Sequence, residues 1–473
     1  MKTRMWSWLA LPFTLLLSGC PDGGGGLVPG ALLSSPVVYR ADQDTNDVFE
    51  LYMASSGTKL TPPLSGLQNV TTFAVLPDKS GVVYIADQDN NDVFELYLVR
   101  FAAPGSSTKL SGAIAGTQDV DQFVLLPNGS GVVYLADQDT PGTKELYFVS
   151  FSSVGTQTRL LAQPSGGAFD VSPDSSAVFY IANSGSGQNE LFRVLLSGGN
   201  PILLISGPLT GGGNVTHFKI APNGTTIVYR ADQRVNERFE LFYVTTSSPG
   251  SSVTLNGDLA LVPGGDVNTT FAITPNSGAV LYQADETTDG IVELYRATIA
   301  ASPVRNKING ILVVGRNVSS FAIAPNGAFV IYKADQDIIG VQELYRVVLS
   351  PLGPAQKVNP VIVAPKSVQS FGIAPDSGAI IYIADEITAG EHELHRVSSS
   401  VLGTSTILNG TLTAGGNVTS FGVLSDSSMV FYLADQATLG VTELYRVAVA
   451  SPTSSIQSNG PLISGGNVTG FAF

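Results

Sequence analysis

A motif that recurs along the whole chain limits what this sequence can fold into. It reads VVYRADQDTNDVFELY from Val37, VVYIADQDNNDVFELY from Val82 and VVYLADQDTPGTKELY from Val132. Its tyrosine returns as Tyr39, Tyr84, Tyr134, Tyr180, Tyr229, Tyr282, Tyr332, Tyr382 and Tyr432, at intervals of 45 to 53 residues. Nine copies fill the 473-residue chain and leave no length for a second folded domain. A chain made of one repeated unit folds by stacking that unit on itself.

Each unit reads as four short strands. The first is FAVLP at Phe73, FAITP at Phe271 or FAIAP at Phe321. A turn rich in Pro, Asp, Asn and Gly follows, as tight turns require. The second strand is VVYIAD or its kin, the third ELYLV or ELYRV, and the fourth a brief TKLT at Thr58 or TILN at Thr406. Val, Ile, Tyr and Phe in short runs favour β structure. No window keeps a helical period, because Gly or Pro interrupts it. Four antiparallel strands in about fifty residues predict a blade of a β-propeller.

The ends of the chain complete the prediction. The first unit begins at its second strand, near Val37, and the last stops at NVTGFAF, a first strand with nothing after it. Paired, the two fragments make one blade and close a ring with no free edge. The expected fold is therefore all-β: a single β-propeller of nine four-stranded antiparallel blades, closed by pairing of the N- and C-terminal strands.

The repeats APDSGAIIYIADEITAGEHELHRV, from Ala374, and APNGTTIVYRADQRVNERFELFYV, from Ala221, resemble the WD40-like repeat of TolB-type propellers. That pattern runs Ser-Pro-Asp-Gly, an apolar strand, a short acidic turn and an Ile/Leu-Tyr strand. The resemblance covers essentially everything after residue 36, implies a propeller, and is specific to the repeat and silent on its function. The turn between second and third strands is longer here than in the family, and the family's extra N-terminal domain has no counterpart.

Residues 1–19 read as a leader: Lys2 and Arg4, then the apolar WSWLALPFTLLL, ending in LSGC. Cys20 is the single cysteine, so no intrachain disulfide can form. LSGC resembles the lipobox of bacterial lipoproteins, which implies lipidation at Cys20. Residues 20–36 are a Gly/Pro/Ser tether, and 37–473 the propeller. The expected location is the cell envelope, held to a membrane by lipid, with Pro21 after the cysteine favouring the outer membrane. A monomer is expected.

The acidic turn has regular ends. Asp closes the second strand in every unit but one, where Asn183 stands, and Glu opens the third strand in all nine. The nine segments sum to a charge of −25; without Lys2 and Arg4 the chain holds 38 acidic and 22 basic residues, or −16, so the remainder is about +9. With no basic stripe, nucleic acid is not an expected partner. Three roles are open for the carboxylates. They can be framework, accepting backbone N–H groups and guarding strand ends. They can bind calcium in the first two units, where Asp42, Asp44, Asn46 and Glu50, and Asp87, Asp89, Asn91 and Glu95, occupy positions 1, 3, 5 and 9 of a loop. They can form an acidic docking face for a basic protein, with Asp137, Asp285, Asp335, Asp385 and Asp435 as its ring. No other cofactor is implied.

Catalytic signatures are missing from the sequence: no G-x-S-x-G, no G-x-x-x-x-G-K-[ST], no H-E-x-x-H and no cysteine pair. His395 takes the slot of a framework tyrosine, and His392, three residues before it on one strand, points to the other face. NVTT and NVTS fit the glycosylation sequon, but their recurrence before first strands predicts a repeated turn in which Asn takes left-handed geometry. The function expected is protein binding or scaffolding. The alternative is a hydrolase or lyase acting on carbohydrate or peptide in the central channel.

Overall fold

A computed structural model describes residues 35–473, apart from 115, 161, 162, 184, 198–201, 260, 261 and 451–453. The leader, Cys20 and most of the tether lie outside the described residues. The fold is the expected ring of nine antiparallel blades. Blade 2 is typical: Val70–Val75, Gly81–Ala86, Glu95–Arg100 and Ser107–Lys109, hydrogen-bonded in chain order. In blade 1 the fourth strand shrinks to a single bridge, Tyr52 to Lys59. A 3-10 turn, Ser165–Gly167, precedes blade 4. Among the described residues no helix is long and apolar enough to cross a membrane.

Second strands read as continuous apolar runs because neighbouring blades cover both their faces. Every residue of Gly81–Ala86, Gly131–Ala136 and Ala379–Ala384 is buried. The cores lie between blades: Val38 and Leu51 of blade 1 pack with Val82, Tyr84, Tyr97 and Val99 of blade 2. Burying each such side chain is worth about 1.5–3 kcal/mol. First strands sit side by side around the centre, so Val215–Ile220 touches Val267–Ile273 and that strand touches Val318–Ile323.

The repeated tyrosine has a defined place. Tyr39 on the second strand stacks on Tyr52 of the third, ring centroids 5.4 Å apart, and Tyr84 on Tyr97 at 5.5 Å. Such cross-strand aromatic pairs add about 0.5–1.5 kcal/mol beyond area burial. The Tyr39 hydroxyl donates to Gln43 Oε1 at 2.5 Å and accepts the Gly460 N–H of the neighbouring blade at 2.8 Å. Burial pushes its pKa up to about 12.

The ring closes as the sequence predicts. The last strand, Val468–Ala472, pairs antiparallel with Val38–Ala41, placing Phe471 opposite Tyr39. Ser55 N–H donates to the Ser458 carbonyl at 2.7 Å across the same join.

Candidate binding face

In every blade the turn between second and third strands emerges on the same face as the connection to the next blade. Antiparallel pairing requires it, since Val70, which opens a first strand, sits opposite Ala86, which ends a second. This turn face holds all the acidic turns.

The aspartate that closes each second strand faces inward. Asp42 Oδ2 accepts the Asp47 N–H of its own turn at 3.2 Å, and its Oδ1 accepts the Asn467 N–H at 2.5 Å. The geometry repeats at the five aspartates expected to form a docking ring. Asp335 accepts Asn317 N–H at 2.8 Å and Gly340 N–H at 3.0 Å. Asp385 accepts Ser367 and Gly390, Asp435 accepts Asn417 and Gly440, and Asp285 accepts Asp266 and Gly290. Asp137 accepts Asp119 and Gly142 and also holds Lys144 Nζ at 2.9 Å. Asp137, Asp335 and Asp385 are buried and Asp285 and Asp435 half-buried. These side chains brace the turns and do not present a ring to a partner.

A second relay ties most blades to the one before, and the sequence reading missed its purpose. Asn69 Oδ1 accepts the Phe49 N–H at 2.7 Å, Asn317 Oδ1 accepts Val292 at 2.6 Å, and Asn467 Oδ1 accepts Thr442 at 2.8 Å. These asparagines recur because their amides bridge blades. None of the three has a positive φ, so the expected left-handed turn is corrected. Left-handed geometry falls instead five residues after the closing aspartate. Asp47 (φ 61), Asp92 (φ 61) and Glu237 (φ 63) adopt it where other blades have Gly142, Gly290, Gly340, Gly390 or Gly440.

In blades 1, 2 and 7 the glutamate that opens the third strand is held from two sides. Glu50 Oε2 accepts the Tyr52 hydroxyl at 3.0 Å, and Oε1 accepts the Leu64 N–H at 2.9 Å. Lys59 Nζ lies 2.7 Å from Glu50 and 2.7 Å from Asp44. Blade 2 repeats this, with Lys109 at 2.8 Å from Glu95 and 2.7 Å from Asp89. In blade 7 Lys357 joins Glu343 and Asp337. Of the residues expected to bind calcium, the structure thus brings Asp44 to Glu50 and Asp89 to Glu95, each pair around an ammonium. Asp42 and Asp87 turn to backbone N–H groups, and the Asn46 and Asn91 amides donate to Asp47 and Asp92. Among the described residues no group of three or more His, Cys, Asp or Glu side chains is arranged for a metal ion. The lysines come from the fourth strand, 14 residues after the glutamate in blade 2, and no loop-spacing argument reaches that far.

Blade 8 departs from the pattern. His395, 1% exposed, stacks on Tyr382 at 5.2 Å, as the tyrosine slot predicts. Its ring nitrogens lie 3.4 Å from Glu386 and 3.7 Å from Glu393, without a hydrogen bond. Burial lowers its basicity, against the nearby Glu386 charge. His217, on the first strand of blade 5, is likewise lowered by burial and by Arg230 and Lys219. A shallow cleft of about 310 Å³ lies at Glu286, Thr287, Tyr295, Arg305 and Lys307 of blade 6. Its polar groups are framework: Tyr282 and Thr287 donate to Glu286 and Glu293, and Lys307 pairs with Glu293 at 2.8 Å.

What varies between blades is the exposed tip. Blades 1 and 2 expose Asp44, Asp47, Asp89 and Asp92, whereas blades 7 to 9 expose Ile338, Ile339, Ile387 and Leu439. The signal was present in the sequence, as DQDTND against DQDIIG, DEITAG and DQATLG.

No protein-family model matches the chain, and no curated protein matches it by sequence. By structure it is similar to a eukaryotic initiation factor, with 11% identity, a TM-score of 0.58, and coverage of 92% of this chain and 98% of that one. It is also similar to dipeptidyl peptidase 4 of Porphyromonas gingivalis, at 9% identity and a TM-score of 0.54, over 82% of this chain and 59% of the peptidase. The likeness is one of fold. The chain therefore spans less than two thirds of that peptidase. A putative TolB from Agrobacterium tumefaciens aligns over 53% of this chain and 83% of its own, at 14% identity and a TM-score of 0.32.

Proposed function

We propose that this protein is a binding propeller of the cell envelope, anchored by lipid at Cys20, whose partner docks on the turn face. One observation carries the reading. The framework carboxylates make the same internal hydrogen bonds blade after blade, while the tips beyond them change character from one sector of the ring to another. Repeated buried groups serve the scaffold, and varied exposed loops on a rigid scaffold serve recognition. Kinship with TolB-type repeat proteins belongs to the same proposal and rests on the repeat motif.

Site-specific photo-crosslinking tests it. A crosslinker at Thr388, on the turn face, is expected to capture a discrete partner in cells, and one at Ser248, on the opposite face, is not. Equal capture from both faces, or from neither, defeats the reading. Cys20→Ala tests the anchor: the variant is expected to leave the membrane fraction unprocessed. Continued sedimentation of a processed form with membranes would show that Cys20 is not the anchor.

A further inference from the structure

The turn face has two sectors of different chemistry. Over blades 7 to 9 it carries exposed apolar side chains, with the half-buried Glu391 among them: Ile311 is 85% exposed, Val314 80% and Val361 75%, and Ile339, Ile387 and Leu439 are also exposed. These residues lie on one arc. A Cβ at Gly315, beside Val314, would meet Ile339 Cδ1 at 3.1 Å, so that connection touches the tip of blade 7. Lys366 Nζ donates to the Ile387 carbonyl at 2.6 Å, joining the connection that carries Val361 to the tip of blade 8. Thr413 N–H donates to the Gln436 carbonyl at 2.9 Å, joining the next connection to the turn that carries Leu439. The exposed carboxylate of the blade 7 tip, Asp337, is paired with Lys357 at 2.7 Å. Single exposed apolar residues are ordinary, but a contiguous set rimmed by polar groups marks an interaction site.

Blade 1 follows blade 9 around the ring, and with it the tips turn acidic. Asp47 and Asp92 are exposed, their carboxylates accept the uncharged amides of Asn46 and Asn91, and among the described residues neither has an ion-pair partner. Asp44 and Asp89 each share one lysine with a buried glutamate, so blades 1 and 2 keep a net negative charge.

We propose that the turn face binds a protein whose surface sets an apolar ridge beside a lysine- or arginine-rich cluster, the ridge on blades 7 to 9 and the cluster on blades 1 and 2. The proposal rests on the reading of the molecule as a binding propeller and names the chemistry of the partner. Charge complementarity selects this occupant. A second copy docked turn face to turn face brings an apolar arc but sets acidic turns against Asp47 and Asp92, since the nine turns sum to −25. An anionic bilayer lying on the face would be repelled by the same carboxylates. The chain also enters blade 1 from the opposite face, since Val38 pairs with Ala472 at the end of the strand far from Asp42.

The test uses the full chain and three short labelled peptides: a leucine block joined to a lysine block, the same with glutamate for lysine, and the same with serine for leucine. Binding is read by fluorescence anisotropy, with sedimentation onto phosphatidylethanolamine–phosphatidylglycerol vesicles and sedimentation velocity alongside. The variants are Ile339→Ser with Val361→Ser, and Asp47→Asn with Asp92→Asn; unchanged melting temperatures confirm that both remain folded. The leucine–lysine peptide is expected to bind at least about tenfold more tightly than either counterpart, and each double variant to weaken it about tenfold. Only the aspartate variant should remove the salt dependence. Equal binding of the serine–lysine peptide, or no loss in the apolar variant, overturns the proposal. So does vesicle binding or self-association that the apolar variant abolishes, which assigns the arc to a bilayer or a second copy. If crosslinks still map to the turn face while the peptides ignore both variants, the partner chemistry is wrong and the binding reading stands.

Discussion

His395 shows how one substitution unbalances a repeated site. Elsewhere a tyrosine or phenylalanine fills its slot, and in blades 1, 2, 3, 6 and 7 a cation from the fourth strand meets the glutamate. In blade 8 the corresponding fourth-strand residue is Ile407, and Glu393 Oε2 has no hydrogen bond. Burial and the charges of Glu391 and Glu386 push the Glu393 pKa up. His395→Tyr would place a hydroxyl where Tyr52 reaches Glu50. It should stabilise the protein by roughly 1–3 kcal/mol, the cost of an orphaned buried acceptor. Because the folded state lowers the His395 pKa from 6.5, the unfolded chain takes the proton first and wild-type stability falls as pH drops through that value. The gain in melting temperature should therefore be larger near about pH 6 than near about pH 8. Glu393 acts in the opposite sense, its stabilisation fading as pH rises from 4.5 through its raised folded pKa. A gain that shrinks towards pH 6 would mean that the two glutamates stabilise charged His395 instead.

At the scale of the hairpin, depth decides what a carboxylate is worth. Asp335→Ala leaves the Asn317 and Gly340 N–H groups without their acceptor and should cost roughly 1–3 kcal/mol for each that stays buried. Asp337→Ala, two residues on, removes only an exposed partner of Lys357 and should cost less than about 1 kcal/mol. Urea melts of the two variants check the contrast, and similar midpoints would refute the framework role. The turn also carries strain: Glu237 holds φ 63 where five blades use glycine. Glu237→Gly should add up to about 1 kcal/mol, relief of left-handed strain less the entropy of glycine. Calcium would have to displace Lys59 and Lys109 from their carboxylate pairs, so its addition should leave the melting temperature unchanged. A rise that Asp44→Asn with Asp89→Asn abolishes would restore the calcium reading of these turns.

For the whole molecule the critical contact is the terminal pairing. Each blade packs only on its neighbours, so an open ring exposes two blade faces and loses the cooperativity that closure supplies. Deleting Gly470 to Phe473 removes Phe471 from opposite Tyr39 and Phe473 from beside Phe431, whose ring centroid is 6.3 Å away. Both rings are half-buried, so each contributes less than the about 1.5–3 kcal/mol of a fully buried aromatic, before the lost strand hydrogen bonds. The truncated chain should melt well below the full-length protein, while removal of residues 21–30 should have little effect. Equal melting temperatures for the two truncations would show that closure does not govern stability.

The amino-acid sequence alone determined the strand order, the blade number, the closure and the recurrence of the second-strand tyrosine. All of these follow from local periodicity and from what is left over at the two ends. It also named the carboxylates without deciding their work. Asp42 and Glu50 look alike as acidic residues at a turn. Only tertiary packing turns one towards the Asn467 N–H, across the closure of the ring, and sets the other against Lys59. The asparagine relay was hidden for the same reason, since Asn69 meets Phe49 only where two blades touch. The apolar tips were written in the sequence as plain turns. They become a surface only when connections and turns from adjacent blades, brought to one face by antiparallel pairing, place Val314 beside Ile339. Contacts between blades are formed by side chains distant in sequence, and their geometry exists only once the ring has closed.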